Sequence, residues 1–150
     1  MKMSEILIIN GPNINMLGKR ETDIYGDVTY ESLIAKINDF SSKKNLKTQF
    51  FQSNAEHEIV NKIQSSIDQN FDFIILNPAA FTHSSIAMRD ALLAVKIPFI
   101  EVHLSNIYAR EDFRKKSYFS DIATGVIAGF GFRGYFLAVD YISDHLKERR

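Results

Sequence analysis

The chain contains no cysteine, which excludes disulfides, thiolate metal sites and cysteine nucleophiles. It has no excess of either charge, since eighteen Lys and Arg balance eighteen Asp and Glu. Nothing therefore draws the whole chain to nucleic acid or to an anionic membrane, and any anion site must be local. Long apolar runs are missing as well. The first, residues 6–9, is far too short for a signal peptide or a membrane span, so a cytoplasmic protein is expected. There is no long linker, internal repeat or low-complexity tract. The 150 residues, 45% of them hydrophobic, read as one domain, 1–150, able to bury roughly two thirds of its unfolded surface.

What is present is a βα rhythm. Residues 5–9 read as a buried-type strand, followed by a loop rich in glycine and amides, Asn10-Gly11-Pro12-Asn13-Ile14-Asn15-Met16-Leu17-Gly18-Lys19-Arg20, that runs on to Tyr25-Gly26. Leu33, Ile34, Ile37 and Phe40 then recur at helical spacing, and Lys43-Lys44-Asn45 closes that helix. A second strand, residues 46–52, leads through Ser53-Asn54 to a helix bearing Ile59, Val60, Ile63 and Ile67. Residues 71–76 are nearly all apolar, as a strand covered on both faces must be, and Asn77-Pro78 ends them. A helix over 84–95 follows, then Pro98 and a strand over 99–102. Residues 108–118, with four basic side chains around Phe113, predict a short helix or lid; 124–130 a fifth strand; 135–146 a closing helix. The pattern is that of an α/β, flavodoxin-like, doubly wound sheet of five parallel strands in the order 2-1-3-4-5.

Gly129-Phe130-Gly131-Phe132-Arg133-Gly134 spells G-x-G-x-x-G, yet only one helix follows it. A dinucleotide unit needs a further strand and an acidic residue about 20 positions on, so these glycines are expected to serve a tight turn and close helix packing. Walker-type loops are absent. His57, His83, His103 and His145 are scattered, without partners at ligand spacing; no metal and no cofactor are expected. His145 is read as a surface residue, and Phe132 and Tyr135 as exposed apolar groups hinting at an interface.

In an open α/β sheet, ligands bind at the carboxyl ends of the strands. Three core strands here end in Asn10 with its loop, in Asn77, and in Glu101-Val102-His103-Leu104-Ser105-Asn106. With Asn13, Arg20, Tyr25, His83 and Arg114, these supply an imidazole, a phenol, guanidinium groups and amides. That set suits proton transfer on a polyhydroxylated anion.

These residues closely resemble the type II 3-dehydroquinate dehydratases, in Asn-Gly-Pro-Asn with the following Leu-Gly and Arg-Glu, in Tyr25-Gly26, and in Gln52-Ser53-Asn54. Asn77-Pro78, Thr82-His83, Arg89-Asp90-Ala91, the run from Glu101 to Asn106, and Ala123-Thr124-Gly125 continue the match in order. The resemblance implies dehydration of 3-dehydroquinate to 3-dehydroshikimate by anti elimination through an enolate, in aromatic biosynthesis or quinate breakdown, without a cofactor. It also implies a homododecamer, a tetramer of trimers, with no nucleic-acid or membrane partner. Tyr25 matches the general base, His103 the general acid, and Arg20 the lid arginine beside the tyrosine. Asn13 matches a residue organising water and the enolate, and Glu101 one orienting His103. Asn77, His83, Leu104, Ser105 and Arg114 match substrate contacts, the last a carboxylate partner, while Asp90 matches a residue reaching a neighbouring subunit's site. Ala79 and His57 stand where the family commonly has glycine.

A tyrosine base needs help, because a phenol of reference pKa near 10 must fall by about three units, roughly 4 kcal/mol, to be half ionised at neutral pH. A guanidinium at about 4 Å, with an effective dielectric near 20, supplies about that much. Arg20, on the same loop as Tyr25, is the expected source, so ionisation would accompany loop closure.

Two other readings are disfavoured. A Schiff-base dehydratase normally occupies a barrel of roughly 250 residues, and the lysines here cluster at helix ends and surfaces. A phosphoacceptor module needs carboxylates at the ends of the first and third strands to hold a divalent cation, where this chain has Asn10 and Asn77.

Overall fold

The computed structural model describes residues 2–19, 23 and 28–149; the positions of Arg20 and Tyr25 lie outside them. Along the chain run β1 (Ser4–Asn10), α1 (Tyr30–Ser42), β2 (Leu46–Gln52), α2 (Glu56–Ser65), β3 (Phe73–Asn77), α3 (Ile86–Val95), β4 (Phe99–His103), β5 (Gly125–Ala128) and α4 (Arg133–Glu148). All sheet pairings are parallel, in the order β2-β1-β3-β4-β5, the doubly wound flavodoxin-like arrangement that the βα rhythm implies.

Strand alternation sorts the core into two layers. Ile6 and Ile8 of β1, Phe73 and Ile75 of β3, and Ile100 and Val102 of β4 pack on one face against Leu33 and Ile37 of α1 and Tyr135, Ala138, Val139 and Ile142 of α4. Leu7, Ile9, Ile74, Leu76 and Phe99 face the other way, against Ile59 and Ile63 of α2 and Met88, Ala91 and Leu92 of α3. The same parity assigns the polar strand ends. Asn10 and Asn77 fall on the α1 and α4 face, whereas Glu101 and His103 share the opposite one.

Helix starts follow local chemistry. Thr29 Oγ1 accepts the Ser32 N–H at 3.2 Å to cap α1, and Ser85 Oγ accepts the Met88 N–H at 3.0 Å to cap α3. The predicted helix over 84–95 therefore begins two residues later, behind a 3-10 turn at Ala79–His83. The third strand starts at Phe73 rather than at residue 71. The fifth spans only Gly125–Ala128, because Gly129 (φ 95°) and Gly131 (φ 59°) turn the chain left-handed directly after it. Gly134 completes the triplet by close packing: a Cβ there would lie 3.1 Å from Val102 Cγ1. All three glycines of the G-x-G-x-x-G run thus serve turn and packing.

Two expectations need correction. Tyr135 is fully buried rather than an exposed interface residue, and Phe132 is half-buried, packed against the core. His145 is half-buried as well, edge-on to Phe73 at 5.7 Å and stacked on Tyr141. Among the described residues, no helix is long and apolar enough to cross a membrane.

Candidate active site

At the carboxyl ends of β1, β3 and β4 lies a cleft with about 140 Å³ of solvent-accessible space. Asn13, Ile14 and Leu17 from the first loop, Asn77 and Ala79 after β3, His103, Leu104 and Ser105 after β4, and Arg110 and Arg114 from the following segment line it. Register explains the convergence, since Asn10 pairs with both Gln52 and Asn77 across the sheet. The strands end level, so their loops meet.

The first loop is held by the end of β2. Gln52 Nε2 donates to Gly11 O at 3.1 Å, and Asn54 Oδ1 accepts the Asn13 N–H at 3.0 Å. Asn13 sits in the left-handed region at φ 70°, a conformation asparagine tolerates better than most residues, which leaves its exposed side chain at the cleft. Gly11 N–H donates to Asn77 O at 2.8 Å, clamping the first loop to the third strand's end.

His103 is built into the wall. Period two sets Glu101 beside it on one face of β4, and His103 Nε2 bonds Glu101 Oε2. Glu101 is fully buried. A carboxylate so placed requires further donors, and Ser117 Oγ (3.1 and 3.0 Å to its two oxygens) and Ser120 Oγ (2.8 Å) supply them. With Nε2 committed to Glu101, Nδ1 is the nitrogen His103 can offer to a ligand. Ser117 lies on the segment that also carries Arg110 and Arg114, and Ser120 just beyond it, so one carboxylate orients the histidine and anchors the cationic wall.

The basic segment is neither a continuous helix nor a bare loop; it forms 3-10 turns at Ile107–Ala109 and Asp112–Arg114. Arg114 Nε donates to Glu111 Oε1 at 2.8 Å, and that bond holds the Glu111 carboxyl below the usual carboxylate range. The two terminal nitrogens of Arg114 face no such partner in Glu111 and suit bidentate capture of a carboxylate. Arg110, whose Nη1 lies 3.4 Å from Ser105 Oγ, is a cleft residue that sequence reasoning passed over. Nothing in the spacing separates it from the other three cations of its segment; only the turns do.

Not every candidate enters this cleft. His83 Nδ1 donates to Lys116 O at 2.6 Å, fixing its ring beside the basic segment but outside the lining residues. Asp90 is exposed on α3, away from the cavity. Arg20 and Tyr25 lie outside the described residues. Among the described residues, no three His, Cys, Asp or Glu side chains are grouped to hold a metal ion.

Ala79, at the lip, has φ 51°, a left-handed backbone that costs an L-residue about 1–2 kcal/mol and glycine almost nothing. Its methyl and a stiffer unfolded chain recover part of that. Ala79→Gly is therefore expected to stabilise the fold by about 0.5–1 kcal/mol, read as a higher denaturant midpoint at unchanged slope. A lower midpoint would mean that methyl packing outweighs backbone strain.

Comparisons with known proteins converge. The profile described as "Dehydroquinase class II" matches residues 4–143. A protein of Hydrogenovibrio crunogenus named 3-dehydroquinate dehydratase is 59% identical over 97% of this chain and 100% of its own length. One of Buchnera aphidicola with the same name is 57% identical over 94% and 93%. Among solved structures, the type II dehydroquinase of Butyrivibrio crossotus superposes with a TM-score of 0.91 at 45% identity, covering 93% of this chain and 97% of that one.

Proposed function

The chain belongs to the class II dehydroquinase family, hydro-lyases acting on 3-dehydroquinate, and from that premise we propose the roles its residues play in turning 3-dehydroquinate into 3-dehydroshikimate. Tyr25 removes the proton beside the ketone, creating an enolate, and His103 protonates the departing hydroxyl from the opposite face of the ring. Arg20 lowers the Tyr25 phenol by proximity as the first loop closes. Asn13 organises water and the enolate, and Glu101 holds His103 in its catalytic orientation.

The observation that carries this reading is His103, tied to the fully buried Glu101 and opening on a cleft with Asn13, Asn77, Ser105 and Arg114. An acid held from behind, amides and hydroxyls for a polyol, and a guanidinium for a carboxylate form a self-consistent set for such a substrate. Two tyrosines near the strand ends are poor bases: burial pushes the Tyr135 phenol far above its ordinary range and raises that of Tyr30. Their unsuitability supports placing the base on the first loop. Leu104 and Ser105 contact the substrate ring, Asn77 its hydroxyls and Arg114 its carboxylate. His83, fixed beside the basic segment by its bond to Lys116 O, is a further substrate contact, and Asp90 serves a neighbour's site in a homododecamer arranged as a tetramer of trimers. The enzyme works in the cytoplasm, in chorismate and aromatic amino-acid biosynthesis or in quinate catabolism.

The direct test is the ultraviolet rise of the conjugated product on adding 3-dehydroquinate to the purified chain. Turnover is expected to persist in a chelator and after borohydride treatment with substrate present. Loss of activity on borohydride treatment would replace the enolate route with a Schiff base.

A further inference from the structure

Behind the cleft lies a polar chain that the proposed roles do not use. Parity places Asn10 and Asn77 on the face of the sheet covered by α4, and Tyr135, on the first turn of α4, reaches both. Its O–H donates to Asn10 Oδ1 at 2.5 Å, and its oxygen accepts from Asn77 Nδ2 at 2.9 Å. Asn10 Nδ2 in turn donates to Tyr30 Oη at 3.3 Å. Asn10 is 1% exposed, Asn77 2% and Tyr135 0%. Three polar side chains so deep in an apolar layer require mutual bonds, but an apolar trio would meet the needs of folding equally well.

Direction is what this chain adds. A carboxamide can sit in two orientations differing by a half-turn, which exchange a donor for an acceptor at nearly the same place. Tyr135 has one proton, and Asn10 takes it. The phenol oxygen that remains is only an acceptor, so it accommodates the NH2 end of Asn77 and rejects the carbonyl end. The Asn77 Oδ1 then accepts the Ala79 N–H at 3.2 Å, which agrees with the same orientation. One N–H of the amide is spent on Tyr135; the other is left for the cleft that Asn77 lines. Burial keeps the Tyr135 phenol protonated at every physiological pH, so the selection does not switch off.

We infer that Tyr135 is a positioning residue, whose hydroxyl, oriented by Asn10, fixes which end of the Asn77 amide the cleft presents to substrate. The inference rests on the proposed contact between Asn77 and the substrate. Because that contact exists equally before and during proton transfer, its loss belongs in KM rather than in kcat.

Tyr135→Phe removes one oxygen and nothing else. With the chain folded at the assay temperature by circular dichroism, KM for 3-dehydroquinate is expected to rise about tenfold, the worth of one hydrogen bond. Expected alongside are a kcat within about twofold of the parent and an unmoved pH profile. Asn10→Leu, close in volume, supplies the second arm: it keeps the phenol but frees its proton to point at Asn77, selecting the inverted amide, and the same rise in KM is expected. Either folded variant with an unchanged KM, or with its loss in kcat and a displaced pH profile, overturns the inference. A parent chain with no dehydratase activity would instead overturn the functional reading beneath it.

Discussion

Tyr25→Phe is expected to lower kcat by about a thousandfold while KM for 3-dehydroquinate moves less than about threefold. The magnitude is that of a lost general base, typically between about a hundred and ten thousand. Phenylalanine keeps the ring and its packing, so what disappears is the atom that takes the proton. The described tyrosines offer no substitute at the strand ends. Tyr135 donates its O–H to Asn10 in a hydrogen bond and is held far above its ordinary pKa by burial, and Tyr30 is raised by the same cause. Nor does His103 stand in as a base from its own side, since its Nε2 is committed to Glu101 and the reaction needs the proton on Nδ1 for the leaving hydroxyl. Binding should survive, because Asn77, Ser105 and Arg114 lie on other elements. Steady-state kinetics by product absorbance reads both constants. A variant that keeps a tenth or more of the parent's kcat would move the base elsewhere, whereas one that loses substrate affinity instead would make Tyr25 a binding residue.

That prediction falls on the part of the chain where sequence and structure carry different shares of the argument. The sheet order was legible because apolar runs such as residues 73–76 read as strands covered on both faces, and five such strands alternating with helices fit a doubly wound flavodoxin-like sheet. Element ends were less legible. α3, capped by Ser85, begins two residues inside the predicted start, and left-handed glycines cut β5 short; both depend on backbone angles that spacing does not specify. The His103 and Glu101 pair was written in the period-two spacing of a strand, but the serines that support Glu101 come from sixteen and nineteen residues away, where only folding brings them. Tyr135 shows the opposite failure. An aromatic at the start of a surface-type helix read as exposed, although two asparagines ending buried strands required hydrogen-bond partners that its hydroxyl turns out to supply. Arg20 and Tyr25 owe their roles to resemblance and to the chemistry a phenolate needs.

Gly11→Ala should be the most damaging small substitution in the first loop. A Cβ at position 11 would lie 2.3 Å from Pro78 O, 2.7 Å from Pro78 C and 3.3 Å from Pro78 Cα. These are backbone atoms, so no rotamer change relieves the overlap. Either the turn after β3 moves or the first loop does. Moving either strains the bond from Gly11 N–H to Asn77 O, 2.8 Å long, that joins the two strand ends. Overpacking of this kind costs about 1–3 kcal/mol where side chains can yield, and the upper end, about 3 kcal/mol, is expected here because they cannot. For a domain of this size that is a fall in Tm of roughly 6–12 °C. Function should suffer beyond stability, since Asn77 and Ala79 flank Pro78 and both line the cleft; a loss of about tenfold or more in kcat/KM well below Tm is expected from such misplacement. Gly125→Ala is the matched control. A Cβ there meets nothing within 4 Å, and alanine in a strand is favoured over glycine by about 0.5–1 kcal/mol, so its Tm should hold or rise. If Gly11→Ala melted within about 2 °C of the parent and kept its kcat/KM, the two strand ends would not form the rigid seat on which this site depends, because a clash worth about 3 kcal/mol would have been absorbed by yielding backbone.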